Sequence, residues 1–515
     1  MSYHLILVAI TWILIAVAIV HVVLDNRQPA KTMAWALVIL FIPVVGIILY
    51  LFFGMNHRKE RLISQRSLDQ LAKRSMVNFD GQHNLQVPSQ YRQLVDLFIN
   101  QDLSVPLKSS HTDILTDGYS FVHSLLRDIA AARHHIHIAM YIFADDALGR
   151  LMADALLQKS REGVEVRVIY DDVGCWNVGR RFFERLREGG IEAVSFLPVH
   201  FPSFTSKANY RNHRKLVIVD GKVGYIGGMN MACRYVKGIK GVKGVEGTKG
   251  VEGTNGIEGT KGGQAAGNLP WRDTMLRFQG TIVHALQRAF LVDWYFVDRT
   301  LITSREYYPA PTGSPRQGAA GDAAESSFCP SERALAQVVT CGPMAPYPEI
   351  MQGYVYAILT ARRYVFIQTP YFLPNEPVLF ALKTAAVSGV DVRIMCPLRS
   401  DAHITEWASR SYLRELHEAG AKVLLYQAGF LHSKLLVCDD LLASCGSTNV
   451  DFRSFENNFE ANVFIYDEAT AQRLKQVFLD DQQQSIPLEQ VPSWLHPKFF
   501  PRLWQSVTRL LSPLL

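Results

Sequence analysis

A histidine, a lysine two residues on and an aspartate five beyond that occur twice in this chain of 515 residues. The first set is His213, Lys215 and Asp220, within Asn212-His213-Arg214-Lys215; the second is His432, Lys434 and Asp439, within Leu431-His432-Ser433-Lys434. One such match would be weak, but the agreement continues past it. Asn230 follows His213 by 17 residues inside Gly227-Gly228-Met229-Asn230, and Asn449 follows His432 by 17 inside Gly446-Ser447-Thr448-Asn449. Arg234 and Arg453 each trail their asparagine by four. Glu460 lies 28 residues after His432, and the nearest counterpart after His213 is Asp273, delayed by an insertion.

On a strand, residues two apart project from one face, so each His–Lys pair shares a side. Asp220 and Asp439 stand an odd number of residues further on, roughly 16 Å along a strand, which suits fixing a turn better than touching substrate. If the two copies face each other, one pocket collects two imidazoles, two ammonium groups and two amides, a set that fits a phosphodiester. One neutral imidazole can attack phosphorus to give a phosphohistidine while the other, protonated, supplies a proton to the departing alkoxide; the roles then reverse for a second alcohol. Lys215, Lys434, Asn230 and Asn449 would hold the non-bridging oxygens against the charge that builds there. A carboxylate on the second ring nitrogen would fix each tautomer, and Asp273 and Glu460 are the candidates. This chemistry needs no metal or other cofactor.

The elements around the motifs follow βαβ grammar. Tyr119 to Ala132 has helical periodicity, His135 to Phe143 alternates like a buried strand, Leu148 to Glu162 is helical, and Gly163-Val164-Glu165-Val166 opens a second strand through a glycine turn. Tyr364 to Tyr371, Glu376 to Ser388 and Gly389-Val390-Asp391-Val392 repeat the pattern, which predicts a duplicated α/β domain with a mainly parallel sheet. His134, His135 and His137 invite a metal reading, but alternation gives only two of them one face with no third ligand nearby; packing inside the sheet is expected.

Composition bounds the partners. Fifty-three Lys plus Arg against 47 acids is a mild excess, too small for a dedicated nucleic-acid binder and compatible with an anionic membrane surface or phosphate substrate. The seven scattered cysteines form no CxxC pair, which fits a reducing compartment. Leu5 to Leu24 and Met33 to Gly54 are apolar runs long enough to span a membrane as a hairpin. The 20 residues after Gly54 are rich in Lys and Arg, which predicts that the large domain faces the cytoplasm. Three glycine-rich hexapeptides within 237–267 have little apolar surface to bury and are expected to form an insertion without chemistry. Phe499, Phe500, Leu503, Trp504, Val507, Leu510 and Leu511 near the end suit a helix lying among lipid headgroups or docked on the protein.

The paired motifs with their trailing GGMN and GSTN resemble the phospholipase D superfamily. With the amino-terminal hairpin, its Asn26-Arg27-Gln28-Pro29-Ala30-Lys31-Thr32 turn and Pro43-Val44-Val45-Gly46, the chain is similar to bacterial cardiolipin synthases of the membrane-hairpin type. The resemblance implies two tandem phospholipase D-like α-β-α domains forming one pseudo-symmetric catalytic unit, located in the cell inner membrane. It implies phosphatidyl transfer from one phosphatidylglycerol to another, giving cardiolipin and glycerol. It places His213, Lys215, Asp220, His432, Lys434 and Asp439 in the catalytic motifs, with His213 as nucleophile and His432 as acid and base. Phospholipid hydrolysis or transfer to another alcohol on the same machinery is the nearest alternative, and a non-catalytic membrane scaffold the remote one. The expected organisation is a transmembrane hairpin over 1–56, a connector over 57–104 and a first domain over 105–303. A linker over 304–330, a second domain over 331–485 and an amphipathic segment over 486–515 follow.

Overall fold

The computed structural model describes residues 3–25, 29–54, 87–102, 104–199, 209–236, 271–310 and 334–514. The 237–267 insertion lies outside these, as do most of the expected connector and linker.

Two sheets carry the fold. The first has seven strands in the spatial order His111–Leu115, Met275–Gln279, Val223–Gly227, Leu216–Val219, His135–Met140, Glu165–Asp171 and Glu192–Phe196. The second repeats that order with Ala334–Cys341, Glu460–Ile465, Leu442–Gly446, Leu435–Cys438, Tyr364–Gln368, Asp391–Pro397 and Lys422–Tyr426. It adds a short strand at each edge, Leu107–Ser109 and Ser485–Pro487. The duplication legible in the sequence is therefore a duplication of topology. The sheets are mixed, however: each motif strand pairs antiparallel with its neighbours, and only the three strands at one side run parallel.

Glycine turns mark equivalent places. Gly163 and Gly389, each opening a parallel strand, take φ of +87° and +89°, a region nearly closed to residues with a Cβ. Helix starts are capped: Asp117 accepts from Ser120 N at 2.8 Å and Asp146 from Gly149 N at 3.0 Å.

Alternation along the strands divides the core into layers. Val217 and Val219 face outward onto helices Gly118–Ala131, Ala147–Arg161 and Arg180–Glu188, while Leu216 and Ile218 face inward. The inward layer is shared. There Leu216, Ile218, Leu276 and Phe278 of the first half join Val338, Leu435, Val437 and Val463 of the second around helices Ile282–Asp298 and Glu468–Gln482. Each fully buried aliphatic side chain contributes roughly 2 kcal/mol, so the two halves are held as one body.

His135 and His137 are fully buried in their strand, as alternation predicts. Gln287 of the central helix bridges them, with Oε1 2.9 Å from His135 Nε2 and Nε2 2.8 Å from His137 Nδ1. Burial pushes His137 down to about 4, so the bridge joins neutral rings.

Helix Tyr3–Asp25 packs on Pro29–Phe41 and Pro43–Leu49, with Ile15, Val22, Ile39 and Tyr50 buried between them. Among the described residues no helix is long and apolar enough to cross a membrane. The second apolar run is broken at Ile42, where φ of −133° and ψ of 68° leave the helix ahead of Pro43.

Candidate active site

The motif histidines and lysines stand just before strands Leu216–Val219 and Leu435–Cys438 rather than within them. Their extended backbone is tied to the opposite half instead. Asn212 bridges Phe459, and His213 N donates to Phe459 O at 2.9 Å. In the mirror arrangement Phe430–Leu431 pairs in parallel with Trp271–Arg272, and His432 N donates to Arg272 O at 2.7 Å.

Those pairings decide which carboxylate meets which imidazole. Phe459 precedes Glu460 and Arg272 precedes Asp273, so each carboxylate is delivered across the interface. His213 Nδ1 lies 2.9 and 3.1 Å from the two oxygens of Glu460, and His432 Nδ1 lies 2.6 Å from Asp273 Oδ2. Both carboxylates are fully buried. With Nδ1–H donated to a carboxylate, the tautomer assigned to each ring leaves the Nε2 lone pair free. The delay of Asp273 by the insertion therefore does not disturb its equivalence to Glu460.

The motif sequences explain how the two acids are seated. Glu460 accepts from Ser447 Oγ and from Asn458 Nδ2 at 3.3 Å. Gly228 is the counterpart of Ser447, and a Cβ there would fall 2.1 Å from Asp273 Oδ1. The missing hydroxyl of the first motif is thus the space Asp273 occupies. Asp273 Oδ1 is held by Thr274 N at 2.7 Å. Behind it, Arg272 makes two bonds to Asp481, at 2.9 and 2.7 Å. On the other side Arg214, paired with Asp293, reaches Glu460 O at 3.0 Å and Cys341 O at 3.1 Å. These supports escaped the sequence reading, because nothing in the spacing links the acids of helices Ile282–Asp298 and Glu468–Gln482 to the motifs.

The lysines do not line the cavity. Lys215 Nζ donates to its own motif's His213 O at 2.6 Å; Lys434 Nζ donates to His432 O and sits 2.8 Å from His432 Nδ1 and 4.0 Å from Asp273 Oδ2. Both are buried behind the imidazoles. Burial lowers Lys434 to about 8 and Lys215 well below its ordinary value. Burial also lowers His213 to about 4, with Glu460 opposing and Lys215 assisting. His432 is depressed well below the usual imidazole range by burial and by Lys434 and Lys215. Asp273 is pushed up to about 6 by burial, whereas for Glu460 the charges of His213 and Lys215 outweigh burial and hold it low. Burial thus favours the neutral form of each ring, and the Glu460 carboxylate opposes it at His213.

Asp220 and Asp439 stand one residue past the ends of the motif strands. Each occupies a tight hairpin turn with φ of +53° and +54° and collects backbone N–H groups at the head of the neighbouring parallel strand. Asp220 accepts from Arg133, His134 and His135 N; Asp439 accepts from Arg362, Arg363 and Tyr364 N, all at 2.7 to 3.2 Å. An aspartate suits the place because its short polar side chain tolerates positive φ. Neither lines the cavity, and the turn-fixing role read from their spacing is the one the geometry supports.

His213 and His432 line one cavity of about 770 Å3, together with Asn230 and Asn449. Asn230 is fixed by Ile142 N at 3.0 Å and by its own bond to Tyr235 OH at 2.8 Å. Asn449 lines the cavity, and its Oδ1 is buried without a hydrogen-bond partner. Arg211, Arg234 and Arg453 add positive charge to the wall, and Tyr141 and Trp271 pack against the His213 and His432 rings with centroids 4.9 and 4.8 Å away. Among the described residues no cluster of three or more His, Cys, Asp or Glu could hold a metal. The arrangement can take a phosphodiester between two tautomer-fixed imidazoles, in a cavity that Asp401 and Asp451 also line.

Comparisons with known proteins agree with this geometry. The family described as "Cardiolipin synthase, PLD-like domain" matches residues 125–239 and 354–482, and "Phospholipase_D-nuclease N-terminal" matches residues 13–54. "Major cardiolipin synthase ClsA" of Bacillus subtilis is 36% identical over 531 aligned positions, covering 100% of both chains. A "Cardiolipin synthase" of Alkalihalophilus pseudofirmus is 36% identical, covering 95% of this chain and 90% of its own. Among solved structures, phosphatidylserine synthase of Haemophilus influenzae superposes with a TM-score of 0.58 at 14% identity, over 83% of this chain and 100% of that one. That last likeness bears on the fold alone.

Proposed function

The chain belongs to the phospholipase D-like cardiolipin synthases, and from that premise we propose that its two imidazoles perform phosphatidyl transfer in two displacement steps. The enzyme is a cardiolipin synthase that joins two phosphatidylglycerols and releases glycerol.

In the first step His213 Nε2 attacks phosphorus, the bond to the glycerol oxygen breaks, and that oxygen takes a proton from His432. In the second, His432 removes the proton from the terminal hydroxyl of another phosphatidylglycerol, whose oxygen displaces His213 from phosphorus. Attack leaves the His213 ring cationic, and Glu460 stands 2.9 Å from its Nδ1 to meet that charge. His432 is depressed in the free site, and the anionic phosphate group of bound lipid favours its protonation. Asn230 and Asn449 steady the non-bridging oxygens from the cavity wall. Lys215 and Lys434 act from behind, as buried positive charges that favour an anion in front of them. The observation that carries this reading is the pair of imidazoles on one cavity, each with a buried carboxylate on Nδ1.

The domain boundaries given above are part of the proposal, as is anchoring of residues 1–56 in the cytoplasmic membrane with the catalytic unit facing inward. Support for the anchor comes from the two apolar runs and the basic residues after Gly54. Release of the protein from membranes by alkaline carbonate would overturn it. The reaction is tested by incubating purified enzyme with labelled phosphatidylglycerol. Cardiolipin and free glycerol are expected; phosphatidic acid as the main product would overturn the transfer reading. His213→Ala and His432→Ala should each abolish turnover.

A further inference from the structure

Helix Phe499–Leu510 is packed inside out for a helix of a soluble protein. Its buried residues are polar, Gln505 and Thr508, and its apolar residues face outward: Phe499 is 72% exposed, Phe500 79%, Trp504 49% and Leu510 80%. The polar face is pinned. Gln505 accepts from Arg414 at 2.9 Å, and Arg509 meets Glu415 at 2.6 Å, bonds Ser411 Oγ at 3.3 Å and lies 4.0 Å from the Tyr412 ring centroid. These four partners sit on helix His403–Glu418 and set the rotation of the terminal helix, so its apolar face cannot turn inward without breaking them.

We infer that this apolar face is a second membrane-contact surface, which seats the catalytic cavity on the lipid interface. Three observations choose a lipid surface over another occupant. Exposed Lys498 and Arg502 flank the aromatic ridge, the charge pattern that suits anionic headgroups above an acyl boundary. The supporting helix leads to the site: Thr405 lines the cavity, and Arg414 lies nine residues along, about 14 Å at 1.5 Å per residue. The first half carries the same chemistry next to the cavity, with Val173 on its wall, Trp176 64% exposed, and Arg180 and Arg181 exposed a few residues on. Substrate of two acyl chains can then enter without leaving the bilayer. The inference rests on a lipid being the substrate.

The test uses the full chain in vesicles of phosphatidylcholine and phosphatidylglycerol, with brominated phosphatidylcholine as quencher. Brominated lipid should quench the emission that Trp504→Phe removes, in addition to that of Trp12 and Trp35 in the proposed anchor. The triple variant Phe499→Ser, Phe500→Ser, Leu510→Ser should raise the apparent KM for phosphatidylglycerol at the vesicle surface roughly tenfold. Its turnover of short-chain, monomeric phosphatidylglycerol should match wild type. Unquenched Trp504 emission would overturn the inference, and so would crosslinking of two copies through this face. Quenching by an enzyme that forms no cardiolipin would support the surface while refuting the proposed reaction.

Discussion

Glu460→Gln isolates the charge that one half of the protein lends to the other. Glutamine keeps the shape, and its Oε1 can still accept from His213 Nδ1 and Asn458 Nδ2, so the tautomer survives, while Ser447, which donates to the other oxygen, must turn its hydroxyl to accept from the amide nitrogen. What is lost is attraction between a carboxylate and the cationic ring that forms when Nε2 bonds phosphorus. At a charge separation of about 4 Å and an effective dielectric of about 20, that attraction is about 4 kcal/mol. At 1.36 kcal/mol per decade it corresponds to roughly a thousandfold in kcat, with KM little changed because the charge is made only in the transition state and intermediate. Rates of cardiolipin and glycerol formation from labelled phosphatidylglycerol measure it, and a kcat within fivefold of wild type would refute the crossed-carboxylate reasoning. The pH profile adds a signed check. His213 must be neutral to attack, so kcat/KM of the wild type should fall as pH drops through about 4. Glu460 raises the His213 value, so its removal should move that acid limb to still lower pH; movement the other way would contradict the structure.

Further outcomes follow from the same geometry. Gly228→Ala should cost at least about a hundredfold in kcat with circular dichroism unchanged, because its Cβ would stand 2.1 Å from Asp273 Oδ1 and push the acid off His432. Asp439→Ala should lower stability by about 2–3 kcal/mol in denaturant melts, through loss of three N–H bonds to a charged acceptor, while the folded fraction keeps near-normal turnover. Arg272→Ala leaves Asp481 buried without its cation and should destabilise by about 3–5 kcal/mol, more than any exposed arginine variant. Activity should also decline above about pH 8 as Lys434 loses its proton, and a flat alkaline profile to pH 10 would remove that lysine's charge from the mechanism.

The sequence by itself determined the duplicated fold and singled out the groups proposed to react. Repeated spacing of His213, Asn230 and Arg234 with His432, Asn449 and Arg453 reports equivalent positions beside equivalent strands, and period-2 alternation assigns His135 and His137 to a packed sheet. These are local properties, fixed by backbone geometry over a few residues. Tertiary structure alone decided the rest. Which carboxylate serves which histidine depends on the closure of two sheets over a shared core, where backbone pairing of Phe459 with Asn212 and Arg272 with Leu431 carries each acid to the far side. The lysines' retreat behind the rings, and the turn-clamping by Asp220 and Asp439, likewise follow from where the strands end. The outward apolar face of Phe499–Leu510 was undecided in the sequence because an amphipathic helix has two faces, and only its neighbours choose between them. Here Arg414 and Glu415 bind the polar side, so charge pairing set the helix's rotation and left its hydrophobic side uncovered.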